Sequence, residues 1–146
     1  MAVIMSFMAI FEELLLSGEK NRSNRGFSKT RNRIKIGDQV QIYIKHRTKD
    51  SKKLFDAIII NKIIWNYKDA PNDVDQAIII KSPKKDEDWL RFAFKDCFEC
   101  YYDFLDYFNP QNHPKHKSKY IFFEFEKLKE YYSKNFNSLN NFMGGK

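Results

Sequence analysis

The stretch Gly18-Glu19-Lys20-Asn21-Arg22-Ser23-Asn24-Arg25 gathers an ammonium, two guanidiniums and a hydroxyl directly after a glycine. A guanidinium offers a planar fork of donors and an ammonium a compact charge, so this mixture suits phosphate or a polar heterocycle better than a core. The plainer alternative is a solvated turn. Gly18 follows Leu14-Leu15-Leu16-Ser17, where a helix-ending glycine belongs, and Lys20, Arg22 and Arg25 would then simply face water.

The cations continue downstream with Arg31, Arg33, Lys35, Lys45 and Arg47. Residues 19–53 hold 12 Lys/Arg against 3 Asp/Glu, a local net charge of +9 in a chain whose total is +7. Such a basic segment on an otherwise balanced domain is the footprint of a polyanion, most often nucleic acid. Phe27 and Tyr43 lie among these cations as stacking platforms for bases. The alternatives are a solubilising loop or an adaptor surface for an acidic protein. A membrane surface fits less well, because the cations fall on turns and strands and not on one amphipathic helix.

The elements that must position these residues are legible in outline. A short strand is expected at Ala2–Met5. Phe7, Ile10, Phe11, Leu14 and Leu15 then recur at helical spacing. Asn24–Asn32 reads as a polar connection. Past Gly37-Asp38 the period becomes two, with Val40, Ile42 and Ile44 alternating with Gln41, Tyr43 and Lys45 in a half-buried strand. Phe55–Trp65 reads as a long β segment with a bend at Asn61-Lys62, and Ala77–Lys81 as a short β-branched strand. Asp96–Phe108 reads as a helix opened by an Asp96/Glu99 capping box and closed by Asn109-Pro110. Tyr120–Phe125 alternates as a closing strand.

Cys97-x-x-Cys100 followed by His113-x-x-His116 imitates a zinc arrangement. The histidine spacing is too short, Pro114 lies inside it, and the intervening segment is an amphipathic aromatic helix. The cysteines are therefore read as small packing residues, and no metal or other cofactor is expected.

At 146 residues the chain suits one domain with a real core, and its 16% aromatic share argues against wholesale disorder. The expected division is a domain over residues 1–128 and a partly helical or disordered tail over 129–146. No apolar run is long enough to cross a bilayer. The apolar start lacks a basic n-region, and two cysteines make no disulfide framework, so a cytoplasmic location and no membrane partner are expected.

Gly-x-Lys-x-x-(Glu, Thr or Ser)-x-Arg after a short helix, followed by a Lys-x-Gly-Asp turn, resembles the signature of the ASCH domain, a small barrel related to PUA domains. Gly18, Lys20, Ser23 and Arg25 fill the first motif, and Lys35, Gly37 and Asp38 the turn. Ala93-Phe94-Lys95-Asp96-Cys97-Phe98 is similar to the family's later Ala-x-x-Asp/Glu-Gly-Phe stretch, with Cys97 where the family usually has Gly. The resemblance implies an α+β fold, a PUA-like mixed β-barrel of five or six strands with two main helices. It also implies RNA or modified-nucleoside binding through a basic cleft. Gly18, Arg22, Arg25, Arg31, Arg33, Lys35, Tyr43, Lys45 and Arg47 are the candidate binding residues.

The family's amidohydrolases, which act on N4-acetylcytidine, imply a second reading in which Lys20, Ser23 and Asp96 match a catalytic Lys, Thr and Glu. The set is chemically coherent. A hydroxyl becomes a nucleophile when a neighbour removes its proton, a desolvated lysine can do so, and a carboxylate can orient either group. Asp for Glu shortens the reach by one methylene.

Overall fold

The two-residue period through Val40, Ile42 and Ile44 becomes a strand that buries those three side chains and leaves Gln41 and Tyr43 half-exposed between them. The computed structural model describes residues 3–112 and 118–128. Its strands are β1 (Val3–Phe7), β2 (Arg22–Gly26), β3 (Gln39–Ile44), β4 (Lys52–Asn66) and β5 (Lys119–Lys127). Its helices are α1 (Glu12–Ser17), α2 (Lys29–Asn32), α3 (Val74–Ile79), α4 (Trp89–Lys95) and α5 (Tyr101–Phe108). The strands follow the hydrogen-bonded order β1-β3-β4-β5-β2. The sheet is mixed, because β1 is parallel to β3 whereas β3–β4 and β2–β5 are antiparallel. This is the α+β, five-stranded arrangement that the motifs imply. The described residues divide into two compact units: 3–21, Ile36–Ile60 and 125–128 form the first, while Arg22–Lys35, 61–112 and 118–124 form the second.

In the first unit, β1 and β3 pair from Val3↔Val40 to Phe7↔Ile44, and β3 meets β4 with an irregularity between Ile42 and Tyr43. Alternate residues Phe55, Ala57 and Ile59 of β4 are buried, and the Phe125 ring lies 6.1 Å from Phe7 and 6.4 Å from Phe55. Gly18 ends α1 at φ +86° with its N–H on the Leu15 carbonyl, a left-handed cap that glycine adopts without a Cβ penalty.

The second unit is built on aromatic rings. Trp65 of β4 stacks 5.9 Å from Phe104 and 5.1 Å from Tyr120, and meets Trp89, Phe92 and Phe108 edge-on. Each such ring removes about 150–250 Å² from water, worth about 4–6 kcal/mol before conformational entropy is set against it.

Four expectations are corrected. The basic stretch from Arg22 to Gly26 is not a loop but β2, paired from Arg22↔Glu124 to Gly26↔Tyr120, because β5 satisfies its backbone. The Ala77–Lys81 strand is replaced by α3, which Asp73 caps by accepting from the Gln76 N–H, leaving Ile78, Ile79 and Ile80 exposed. Asp96 opens no helix: α4 ends there, and α5 starts at Tyr101 after Cys100. Phe7 belongs to β1 and not to the first helix. The 129–146 tail, like His113 and His116, lies outside the described residues.

Candidate functional site

Alternation along β2 sends Arg22 and Asn24 to one face, and Ser23 and Arg25 to the other. Arg22 is only 3% exposed. Its two terminal nitrogens donate to the two Glu87 carboxylate oxygens at 2.7 and 2.8 Å, and Lys95 Nζ reaches Oε2 of the same carboxylate at 2.8 Å. Burial by itself would raise the Glu87 pKa. Hydrogen bonds from Arg22 and Lys95, reinforced by their charges, outweigh that cost and hold it down to about 2. The guanidinium expected to meet phosphate is thus clamped on a carboxylate, and it also lies over the Phe122 ring.

Asn24 is the hub of the site. Its Oδ1 accepts from Trp65 Nε1 at 2.8 Å, and its Nδ2 donates to Asp96 Oδ2 at 2.9 Å. Asp96 is placed by the end of α4: the Cys97 N–H bonds the Phe94 carbonyl, the Phe98 N–H bonds the Ala93 carbonyl, and Cys97 adopts φ +70°. These two bonds form a Schellman cap, whose left-handed position normally calls for glycine.

Arg25 donates from Nε to Ser23 Oγ. Burial, with the charge of Arg31 beside it, brings the Arg25 pKa down to about 10, opposed by Asp96 and Tyr107, so it remains a cation at neutral pH. A cavity of about 230 Å³ opens here, lined by Asn24, Arg25, Gly26, Arg31, Tyr107, Phe108 and Tyr120. Arg31 is held by its Nη1 on the Gly26 carbonyl at 2.8 Å, in a one-turn α2 that Ser28 caps. Tyr120 donates to the Phe108 carbonyl at 2.6 Å, and burial with Tyr67 and Tyr107 nearby pushes its hydroxyl up to about 12, so it stays neutral.

Ser23 is 5% and Asp96 8% exposed, and Asp96 bonds to the residue adjoining Ser23. Both belong to the second unit. Lys20 belongs to the first, 4% exposed, with its ammonium 4.8 Å from the Phe11 ring centroid and 5.6 Å from that of Phe7. Gly18, Tyr43, Lys45 and Arg47 are also in the first unit, Tyr43 edge-on to His46 and both Lys45 and Arg47 exposed. Arg33 and Lys35 are exposed residues of the second.

Sequence reasoning missed Asn24, Trp65, Glu87, Tyr107, Phe108 and Tyr120. No local signal marks them, since each earns its place through a partner remote in sequence. Among the described residues no group of three or more His, Cys, Asp or Glu is arranged to hold a metal ion, and no helix is long and apolar enough to cross a membrane.

No family model matches the chain, and no curated protein matches it. Three solved structures are similar. The hypothetical protein PH0355 aligns at 13% identity and a TM-score of 0.51, over 88% of this chain and all of its own. ASCH from Zymomonas mobilis aligns at 14% identity and a TM-score of 0.48, over 85% of this chain and 66% of its own. Protein PF0455 from Pyrococcus furiosus aligns at 15% identity and a TM-score of 0.39, over 88% of this chain and 98% of its own. The likeness to PH0355 spans most of this chain and shows a shared fold.

Proposed function

We propose that this protein binds single-stranded RNA or a modified nucleoside, with the cavity beside Arg25 and Arg31 receiving one nucleotide unit. The supporting observation is the wall of that cavity, where two guanidiniums and two tyrosines converge within about 230 Å³. This is below the roughly 300 Å³ at which drug-sized pockets begin, so it suits one extruded unit of a flexible strand and not a duplex. Exposed Arg33 and Lys35 extend the cationic surface of the same unit. Titration with short oligoribonucleotides over a range of salt tests the reading: affinity falls as salt rises and Arg25→Ala weakens it, whereas salt-independent binding overturns it.

A second reading, amide hydrolysis of an N4-acylated cytidine-type nucleoside by Lys20, Ser23 and Asp96, is favoured by one observation. All three side chains are buried, as groups working away from bulk water would be. In Ser23 the hydroxyl accepts from the Arg25 guanidinium, a contact that favours the ionised form a nucleophile needs. Turnover of N4-acetylcytidine that Lys20→Ala abolishes supports it; absence of product across a panel of acylated nucleosides removes it.

A further inference from the structure

Charge is out of balance at the cavity. Arg25 and Arg31 both line it, and Asp96, which bonds Asn24, is the carboxylate whose charge acts on Arg25. Arg31 has a backbone carbonyl, Gly26, as the acceptor for its side chain, and among the described residues no carboxylate pairs with it. A guanidinium carries five N–H donors, so most of those on Arg31 remain for a ligand. The other lining groups add no negative charge: Tyr120 stays protonated, and Asn24 is already committed at both ends of its amide. The repulsion between the two guanidiniums, which helps bring Arg25 down to about 10, is a cost that an anion between them would relieve.

We propose that Arg25 and Arg31 form a clamp for a phosphate monoester, so that the cavity prefers a nucleoside monophosphate, or the phosphorylated end of a strand, over a neutral nucleoside or a phosphodiester within a chain. This deepens the RNA-binding reading and rests on it. A monoester brings close to two negative charges and three acceptor oxygens, matching the open donors of Arg31 beside the charge of Arg25, whereas an internal diester brings one charge and two unbridged oxygens. Tyr107 and Phe108 leave an aromatic wall for the attached nucleoside.

The test is a set of titrations followed by tryptophan fluorescence, since Trp65 bonds directly to a residue of the cavity wall. Uridine, uridine 5′-monophosphate, inorganic phosphate, and an oligouridylate with and without a 5′-phosphate are the probes. One added charge-assisted contact predicts at least about a tenfold preference for each phosphorylated probe over its unphosphorylated counterpart. That preference grows from pH 5 to pH 7, because the second phosphate pKa is about 6. Arg31→Gln collapses it to about onefold, and Arg31→Lys, which keeps the charge without the fork, restores only part of it. Thermal unfolding of each variant reports whether the fold survives.

Equal binding of phosphorylated and unphosphorylated strands overturns the clamp and leaves the RNA reading standing. Absence of binding by every nucleoside, nucleotide and strand overturns both. Inorganic phosphate competing as strongly as uridine monophosphate supports the clamp while overturning the nucleotide reading of the cavity. A preference that persists in Arg31→Gln overturns the assignment of Arg31.

Discussion

Asn24 and Asp96, 72 residues apart in the chain, are joined by a hydrogen bond of 2.9 Å. The contact ties the middle of β2 to the cap of α4, and the opposite end of the same amide receives the Trp65 indole. One short polar side chain therefore links the Asp96 carboxylate, the aromatic core and the cavity wall.

Asp96→Asn separates the two functional readings. It removes a negative charge close to Arg25 while keeping the shape of the side chain. RNA affinity is expected to hold or to rise a few-fold, while any acylcytidine turnover is expected to fall by about a hundredfold or more. Parallel binding and turnover assays on the one variant give the answer.

RNA binding itself should follow counterion release. If about four phosphates are neutralised, the log–log slope of affinity against salt is about −3, and Arg25→Ala reduces its magnitude by about 0.7. Because Arg25 stays charged below about 10, affinity for an internal strand segment is expected to be flat from pH 6 to pH 9. Fluorescence anisotropy at graded salt and pH checks both expectations.

Glu87 should set the acid limb of stability. Its pKa is lowered to about 2 in the folded chain from an ordinary 4.5, so its contribution is fully present above the unfolded value and is lost as pH falls from there towards 2. The amount is on the order of a few kcal/mol. Glu87→Gln leaves Arg22 buried beside Glu124 at 3.8 Å and is expected to cost about 3 kcal/mol at pH 7, with a flatter acid limb. Urea unfolding between pH 3 and pH 7 measures each of these.

Cys97→Gly should stabilise the protein. The residue sits at φ +70° in the α4 cap, where a side chain costs about 1 kcal/mol and glycine does not. Loss of the Cys97 contacts and a looser unfolded chain offset part of this, so a gain of about 0.5–1 kcal/mol is expected from denaturant midpoints. A clear loss of stability would show that the thiol's packing outweighs the backbone strain.

Trp65→Phe should weaken binding without touching a ligand. It keeps most of the aromatic packing but leaves the Asn24 carbonyl without its indole donor, at a cost of about 1–3 kcal/mol. A fall in RNA affinity larger than that of a control such as Phe92→Leu would place the Trp65–Asn24 bond in the support of the cavity.

Local physics was enough to expose much of the fold. Alternation announced β3 and much of β4; the aromatic run Tyr120–Phe125 announced β5, whose Tyr120 to Phe123 are buried in succession; Gly18 announced the end of α1; and Gly37, at φ +95°, the turn before β3. The Gly-Lys-Ser-Arg stretch announced where polar chemistry gathers. These signals survive because each depends on residues a few positions apart. By contrast, β2 looked like a loop, since nothing in Arg22–Gly26 is β-forming until Tyr120–Glu124 supplies its hydrogen bonds. Local spacing read Asp96 as a helix start, but a left-handed Cys97 makes it a helix end. The fate of each cation was likewise settled only in three dimensions: Glu87 claims Arg22, while Arg25 and Arg31 are brought to one cavity, because a charge buried far from water must find a partner wherever the chain can supply one.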